Sequence, residues 1–95
     1  MNLGLIINPT AGGGSALAAG EQAQKVFEQA GLEVLDLSGS SLIEAKANAQ
    51  AAILKNQIDC LVVVGGDGIM HLGVNLCAGT NLPLGLIASG TGNDA

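Results

Sequence analysis

The sequence predicts an α/β fold, one parallel sheet in three layers built from alternating strands and helices. Three observations predict it. Four short apolar runs are separated by stretches with apolar residues at helical spacing. The third run contains Leu61-Val62-Val63-Val64, an unbroken series that reads as a strand buried on both faces. Glycines gather after the first, third and fourth runs, at the strand ends where open α/β sheets keep their ligands.

The first strand is Leu3 to Ile7, and Asn8-Pro9-Thr10 stops it because Pro9 cannot donate to a sheet ladder. Ala11 to Gly14 is a glycine-rich loop. Ser15 then suits the N-cap of a helix reaching Ala30, with Ala19, Ala23, Val26, Phe27 and Ala30 on one stripe and Gly31 as the stop. Leu32 to Leu37 is a second strand centred on Val34 and Leu35. Ser41-Leu42-Ile43-Glu44 fits a capping box, and the helix it opens carries Leu42, Ala45, Ala49, Ala52 and Ile53 at helical spacing.

The third strand runs from Ile58 or Asp59 to Val64, and a helix from about Ile69 to Ala78 follows the loop Gly65 to Gly68. Within that helix Gly73 predicts a close contact with the sheet. After a turn at Gly79-Thr80-Asn81, Leu84 to Ala88 is the fourth strand and leads into Ser89-Gly90-Thr91-Gly92-Asn93-Asp94. The pattern is β-α-β-α-β-α-β without linker, repeat or low-complexity tract. Asn93 and Asp94 suit an N-cap, so the expectation is the amino-terminal part of a larger protein, with a loose polar tail as the alternative.

Right-handed crossovers put the carboxyl ends of strands one, three and four on one edge of the sheet. For two of the loops there to share a ligand, strands one and three must be neighbours. The predicted strand order is therefore 2-1-3-4, with a switch point between the first and third strands.

Composition excludes several functions. A chain of 95 residues with three lysines, no arginine and a net charge of −5 has no electrostatic hold on nucleic acid or an anionic membrane. Phe27 is the only aromatic residue, so no platform for stacking bases exists. No apolar run approaches the roughly 20 residues that span a bilayer. Cys60 and Cys77 form no C-x-x-C pair and read as reduced, buried thiols of a cytoplasmic protein. His71 reads as a packed or surface side chain of the third helix.

The chemistry of the loops points to phosphate. Gly65, Gly66 and Gly68 can adopt positive φ and let an anion approach the backbone, where several N–H groups converge. The third helix offers its positive end, and Thr10, Ser15 and Thr91 offer hydroxyls. Asp67 and Asp94 repel phosphate, so they suit Mg²⁺ ligation or orientation of loop amides, while a plain turn or N-cap role stands equally beside this. A Lys-Ser or Lys-Thr after glycine is absent, and Gly12 and Gly14 lack a third glycine, so neither a P-loop nor a dinucleotide fingerprint is present.

Taken together, Asn8-Pro9 with Gly12 and Gly14, Gly65-Gly66-Asp67-Gly68, and Gly90-Thr91-Gly92-Asn93-Asp94 resemble the catalytic domain of the diacylglycerol kinase family, over the whole chain and in order. The resemblance implies the Rossmann-like amino-terminal domain shared with NAD kinases, and ATP- and Mg²⁺-dependent phosphorylation of a lipid hydroxyl. It implies that Asn8, Pro9, Thr10, Ala11, Gly12, Ser38, Gly65, Gly66, Asp67, Gly68, Ile69, Met70, His71, Gly90, Thr91 and Gly92 line the nucleotide site. It implies that Asp67 and Asp94 support the metal, and that residues 1–95 are the nucleotide-binding part.

The partners so implied are a nucleotide and a lipid, diacylglycerol or a relative, but not nucleic acid. A second, β-rich domain carrying the lipid site and the general base is not in this chain. The location implied is the cytoplasm, with peripheral contact at the membrane for the full-length protein. Exposed sheet edge in such a piece predicts self-association, for example as a homodimer. The family's glycine motif commonly continues with Thr and then Glu; here Ile69 and Leu72 stand at those positions, and Ala88 replaces a common Pro. A small-molecule kinase of the NAD kinase or phosphofructokinase type, and a non-catalytic nucleotide-binding module, are the alternatives.

Overall fold

A computed structural model describes residues 1–8 and 15–88. Its elements are β1 (Asn2–Ile7), α1 (Ser15–Gln29), β2 (Glu33–Asp36), α2 (Leu42–Leu54), β3 (Cys60–Gly65), α3 (Asp67–Cys77) and β4 (Leu84–Ala88). The four strands form one parallel sheet in the order β2-β1-β3-β4. That is the expected fold and the expected strand order.

Alternation along the strands divides the core between two faces. Ile6, Leu61 and Val63 point to the face covered by α2 and α3, where they meet Ala45, Ala49, Ala52, Ile69 and Leu76. Leu3, Leu5, Ile7, Val62 and Val64 point to the other face, against Ala19 and Phe27 of α1. Each fully buried Leu, Ile or Val contributes about 1.5–3 kcal/mol relative to exposure. With small alanines on α2, that helix can lie close to the sheet without aromatic filling. Gly73 does the same for α3: a Cβ there would stand 3.1 Å from both Leu84 Cδ1 and Val63 Cγ2.

The helix ends follow local chemistry with three adjustments. Ser15 is the first residue of α1 and not its cap. At the other end Gly31, at φ +89, lets the Leu32 N–H turn back onto the Phe27 carbonyl at 3.0 Å. Ser41 caps α2 by accepting from the Glu44 N–H at 3.2 Å, as the capping box requires. The return bond is displaced by one residue, because Glu44 Oε1 accepts from the Ser40 N–H at 2.8 Å. The third adjustment is at α3, which starts two residues earlier than its apolar spacing predicts.

Among the described residues no helix is long and apolar enough to cross a membrane. Cys60 and Cys77 are free thiols but only half-buried, a correction to the expectation of fully buried ones. Burial pushes both thiols above their ordinary value, with the nearby Asp59 carboxylate adding to the rise at Cys60 and the amino terminus opposing it.

Candidate functional site

The carboxyl edge of the sheet is where the glycine-rich segments begin. β1 and β3 are hydrogen-bonded neighbours with Ile7 opposite Val64, and the Asn8 N–H extends the ladder by donating to the Val64 carbonyl at 3.0 Å. Gly65 is the last residue of β3 and Gly66 the N-cap of α3, so strand passes to helix through a single residue. Gly65 stands opposite Ala88, the last residue of β4. Ser38, Asn8, Gly65 and Ala88 therefore follow one another across the edge.

This junction corrects the reading of Gly65 to Gly68 as a loop of freely turning glycines. Only Gly65 has a positive φ, +152. Gly66 is extended, at φ −100 and ψ −156, and Asp67 and Gly68 belong to the first turn of α3. What Gly65 requires is close approach as well as conformation: a Cβ there would lie 2.7 Å from Ile69 Cγ2 and 3.0 Å from Asn8 Cβ. Among the described residues nothing lies within 4 Å of a Cβ on Gly66.

Having no side chain, Gly66 makes no capping bond to α3. The first intrahelical bond runs from the Met70 N–H to the Gly66 carbonyl at 3.1 Å. The amides that precede Met70 in the first turn thus keep their donors for a ligand or water, at the positive end of the helix dipole. Asp67 is exposed in that same turn. A Cβ on Gly68 would meet Leu42 Cδ1 at 3.7 Å, which puts the starts of α2 and α3 side by side.

The remaining residues implied by the resemblance divide into four groups. Ile69 is fully buried in the core beneath the junction, so only its amide can serve a ligand, and Met70 is half-buried against the same core. His71 is exposed on the following turn of α3. Ser38 lies on the far side of β1, where its Oγ accepts from the Ile7 N–H at 2.8 Å. Pro9, Thr10, Ala11, Gly12, Gly90, Thr91, Gly92 and Asp94 lie outside the described residues.

Among the described residues no three His, Cys, Asp or Glu side chains stand close enough to hold a metal by themselves. Mg²⁺ bound with a nucleotide needs only one or two carboxylates beside phosphate oxygens and water. An exposed Asp67 at the helix start fits that mode and does not fit an all-protein cage. A cavity of about 590 Å³ lies elsewhere, between α2 and α3, with Lys46, Gln50, Ile53 and Leu72 in its walls.

Sequence reasoning missed Asn48. Its Nδ2 donates to the Leu37 carbonyl at 3.1 Å, beside Ser38. A polar residue in a helix otherwise rich in alanine was the one available signal.

The family model for the diacylglycerol kinase catalytic domain matches residues 2–95. The chain is also similar to the diacylglycerol kinase of two strains of Mycobacterium tuberculosis, at 36% identity over 89 residues in each case. The match covers 94% of this chain, which spans 28% of the length of those curated relatives.

Proposed function

The chain belongs to the diacylglycerol kinase catalytic domain family, a family of lipid kinases, and we propose that it supplies the nucleotide-binding part of an ATP- and Mg²⁺-dependent lipid kinase. The observation that carries the reading is the uncapped start of α3 at the crevice between β1 and β3. There the Gly65–Gly66 junction and Asn8 meet across one ladder bond.

Phosphoryl transfer asks a protein mainly for positioning and charge stabilisation. The amides of the first turn of α3 hold phosphate oxygens, and the space that the described residues leave at Gly66 lets the phosphates reach them. Asp67, with Asp94 from the last glycine segment, holds Mg²⁺, which when bound neutralises phosphate charge. Pro9 to Gly12 and Gly90 to Gly92, which lie outside the described residues, are assigned to the same phosphate site by the resemblance of their motifs. The acceptor is a lipid hydroxyl, diacylglycerol or a relative, and its base and apolar groove come from residues beyond these 95.

Calorimetric titration of the full-length protein with ATP, with and without Mg²⁺, tests the reading beside Asp67→Ala. Magnesium-dependent binding that weakens at least about tenfold in the variant is the expected result. Equal binding by both proteins, or no binding at millimolar ATP, removes the junction from the nucleotide site.

A further inference from the structure

The ladder between β1 and β2 ends in an exchange of partners. The Leu37 N–H donates to the Leu5 carbonyl at 2.8 Å, so continuation of a parallel ladder would take the Ile7 N–H to the Leu37 carbonyl. It does not go there. The Leu37 carbonyl instead accepts from Asn48 Nδ2 at 3.1 Å, and the Ile7 N–H donates to Ser38 Oγ at 2.8 Å. The Ser38 N–H in turn donates to Asp36 Oδ1 at 2.9 Å, which turns the backbone away from the sheet.

Each group in this exchange has a reason to stay. Ile7 is buried, and its amide needs an acceptor. Leu37 is buried too, so its carbonyl needs a donor wherever it points. Ser38 Oγ, held as an acceptor, keeps its own proton, for which no acceptor stands among the described residues. The hydroxyl is thereby fixed at the carboxyl edge, next to the residue from which β1 passes into Asn8.

We propose that Asn48 is a positioning residue of the nucleotide site. By holding the Leu37 carbonyl out of the ladder it leaves the Ile7 N–H to Ser38, and so sets both the Ser38 hydroxyl and the exit of β1 toward Asn8. Asn48 itself sits on α2 and acts only through Leu37 and Ser38. The inference rests on the reading of the carboxyl edge as a nucleotide site.

Two measurements on the full-length protein test it: ATP affinity by calorimetry, and amide exchange of Ile7 by NMR without ligand. The variants are Asn48→Ala, Asn48→Asp, Ser38→Ala and the double variant Asn48→Ala with Ser38→Ala. Alanine is the best helix former, so Asn48→Ala keeps α2, and Asp keeps the shape of Asn while losing the donor.

Both Asn48 variants are expected to weaken ATP binding about tenfold, the loss of one hydrogen bond to a charged group. Ser38→Ala should speed Ile7 exchange, because the amide loses its acceptor. The double variant should restore protection, because the released Leu37 carbonyl returns to the ladder. Unchanged ATP affinity in the Asn48 variants, or Ile7 exchange in the double variant as fast as in Ser38→Ala, would overturn the proposal. Absent ATP binding by the unsubstituted protein is a different failure: it overturns the nucleotide reading and this inference with it.

Discussion

Gly65 and Ile69 lock strand to helix by contact: the Ile69 Cγ2 atom lies 2.7 Å from where a Cβ on Gly65 would be. The pair explains why β3 can pass into α3 through one residue. A side chain at Gly65 would have to occupy the space that the core residue of the next turn already fills.

Gly65→Ala should therefore cost about 2 kcal/mol or more, from its φ of +152 together with the contacts to Ile69 and Asn8. Urea unfolding of the variant beside the parent protein measures it. A loss below about 0.5 kcal/mol would mean that the junction rearranges freely.

Gly66→Asp should move stability and binding in opposite directions. A carboxylate at the N-cap satisfies amides of the first turn and meets the helix dipole, worth about 1 kcal/mol, and the described residues leave space for it. The same carboxylate would occupy and repel the proposed phosphate position. A higher Tm with weaker ATP binding is expected; a higher Tm with unchanged binding would move the phosphate elsewhere.

Ile69→Thr, the change toward the family's common residue, should destabilise the fold by about 1–3 kcal/mol. It puts a hydroxyl into a fully buried apolar position and removes the Cδ1 methyl from the core, while the Cβ and Cγ2 atoms that face Gly65 stay. Activity comparisons of this variant must therefore be made at matched folded fraction, which circular dichroism at the assay temperature supplies. If the variant is as stable as the parent, the hydroxyl has found a partner at the junction.

The raised thiols of Cys60 and Cys77 set an alkaline limit. In the folded protein both hold their protons above the ordinary value of 9.0, while the unfolded chain releases them there. Their contribution to stability is therefore fully present below about pH 9 and is lost as pH rises through the folded-state values. Unfolding midpoints measured from pH 8 to 10 should fall with pH, and serine substitution at both positions should flatten that fall.

The layered architecture was legible because its causes are local or topological. The Leu61–Val64 run announces a strand buried on both faces, and two glycine segments that share one edge require β1 beside β3. The start of α3 was misplaced because Gly66 caps without a side chain and so leaves no mark in the sequence. Ile69 stands in the motif that carries the resemblance, and its burial with Ile6, Val63 and Leu76 is a tertiary fact that no local spacing reports. Asn48 escaped for the same reason, since its partner is the Leu37 carbonyl; Ser38 is named by the resemblance, but its bond to Ile7, 31 residues away, is not legible in the sequence.

The middle position of β1 in the sheet has a thermodynamic consequence. β1 reaches β2 across one helix but reaches β3 only across two, so its second pairing closes the longer loop at the greater entropic cost. A molecule that bridges Asn8 and Gly65 adds its own free energy to that more expensive pairing. By mass action a ligand at 100 times its Kd stabilises the folded state by about 2.7 kcal/mol. A ligand held across that pairing, such as the proposed nucleotide, would thereby lengthen the time the sheet survives proteolysis.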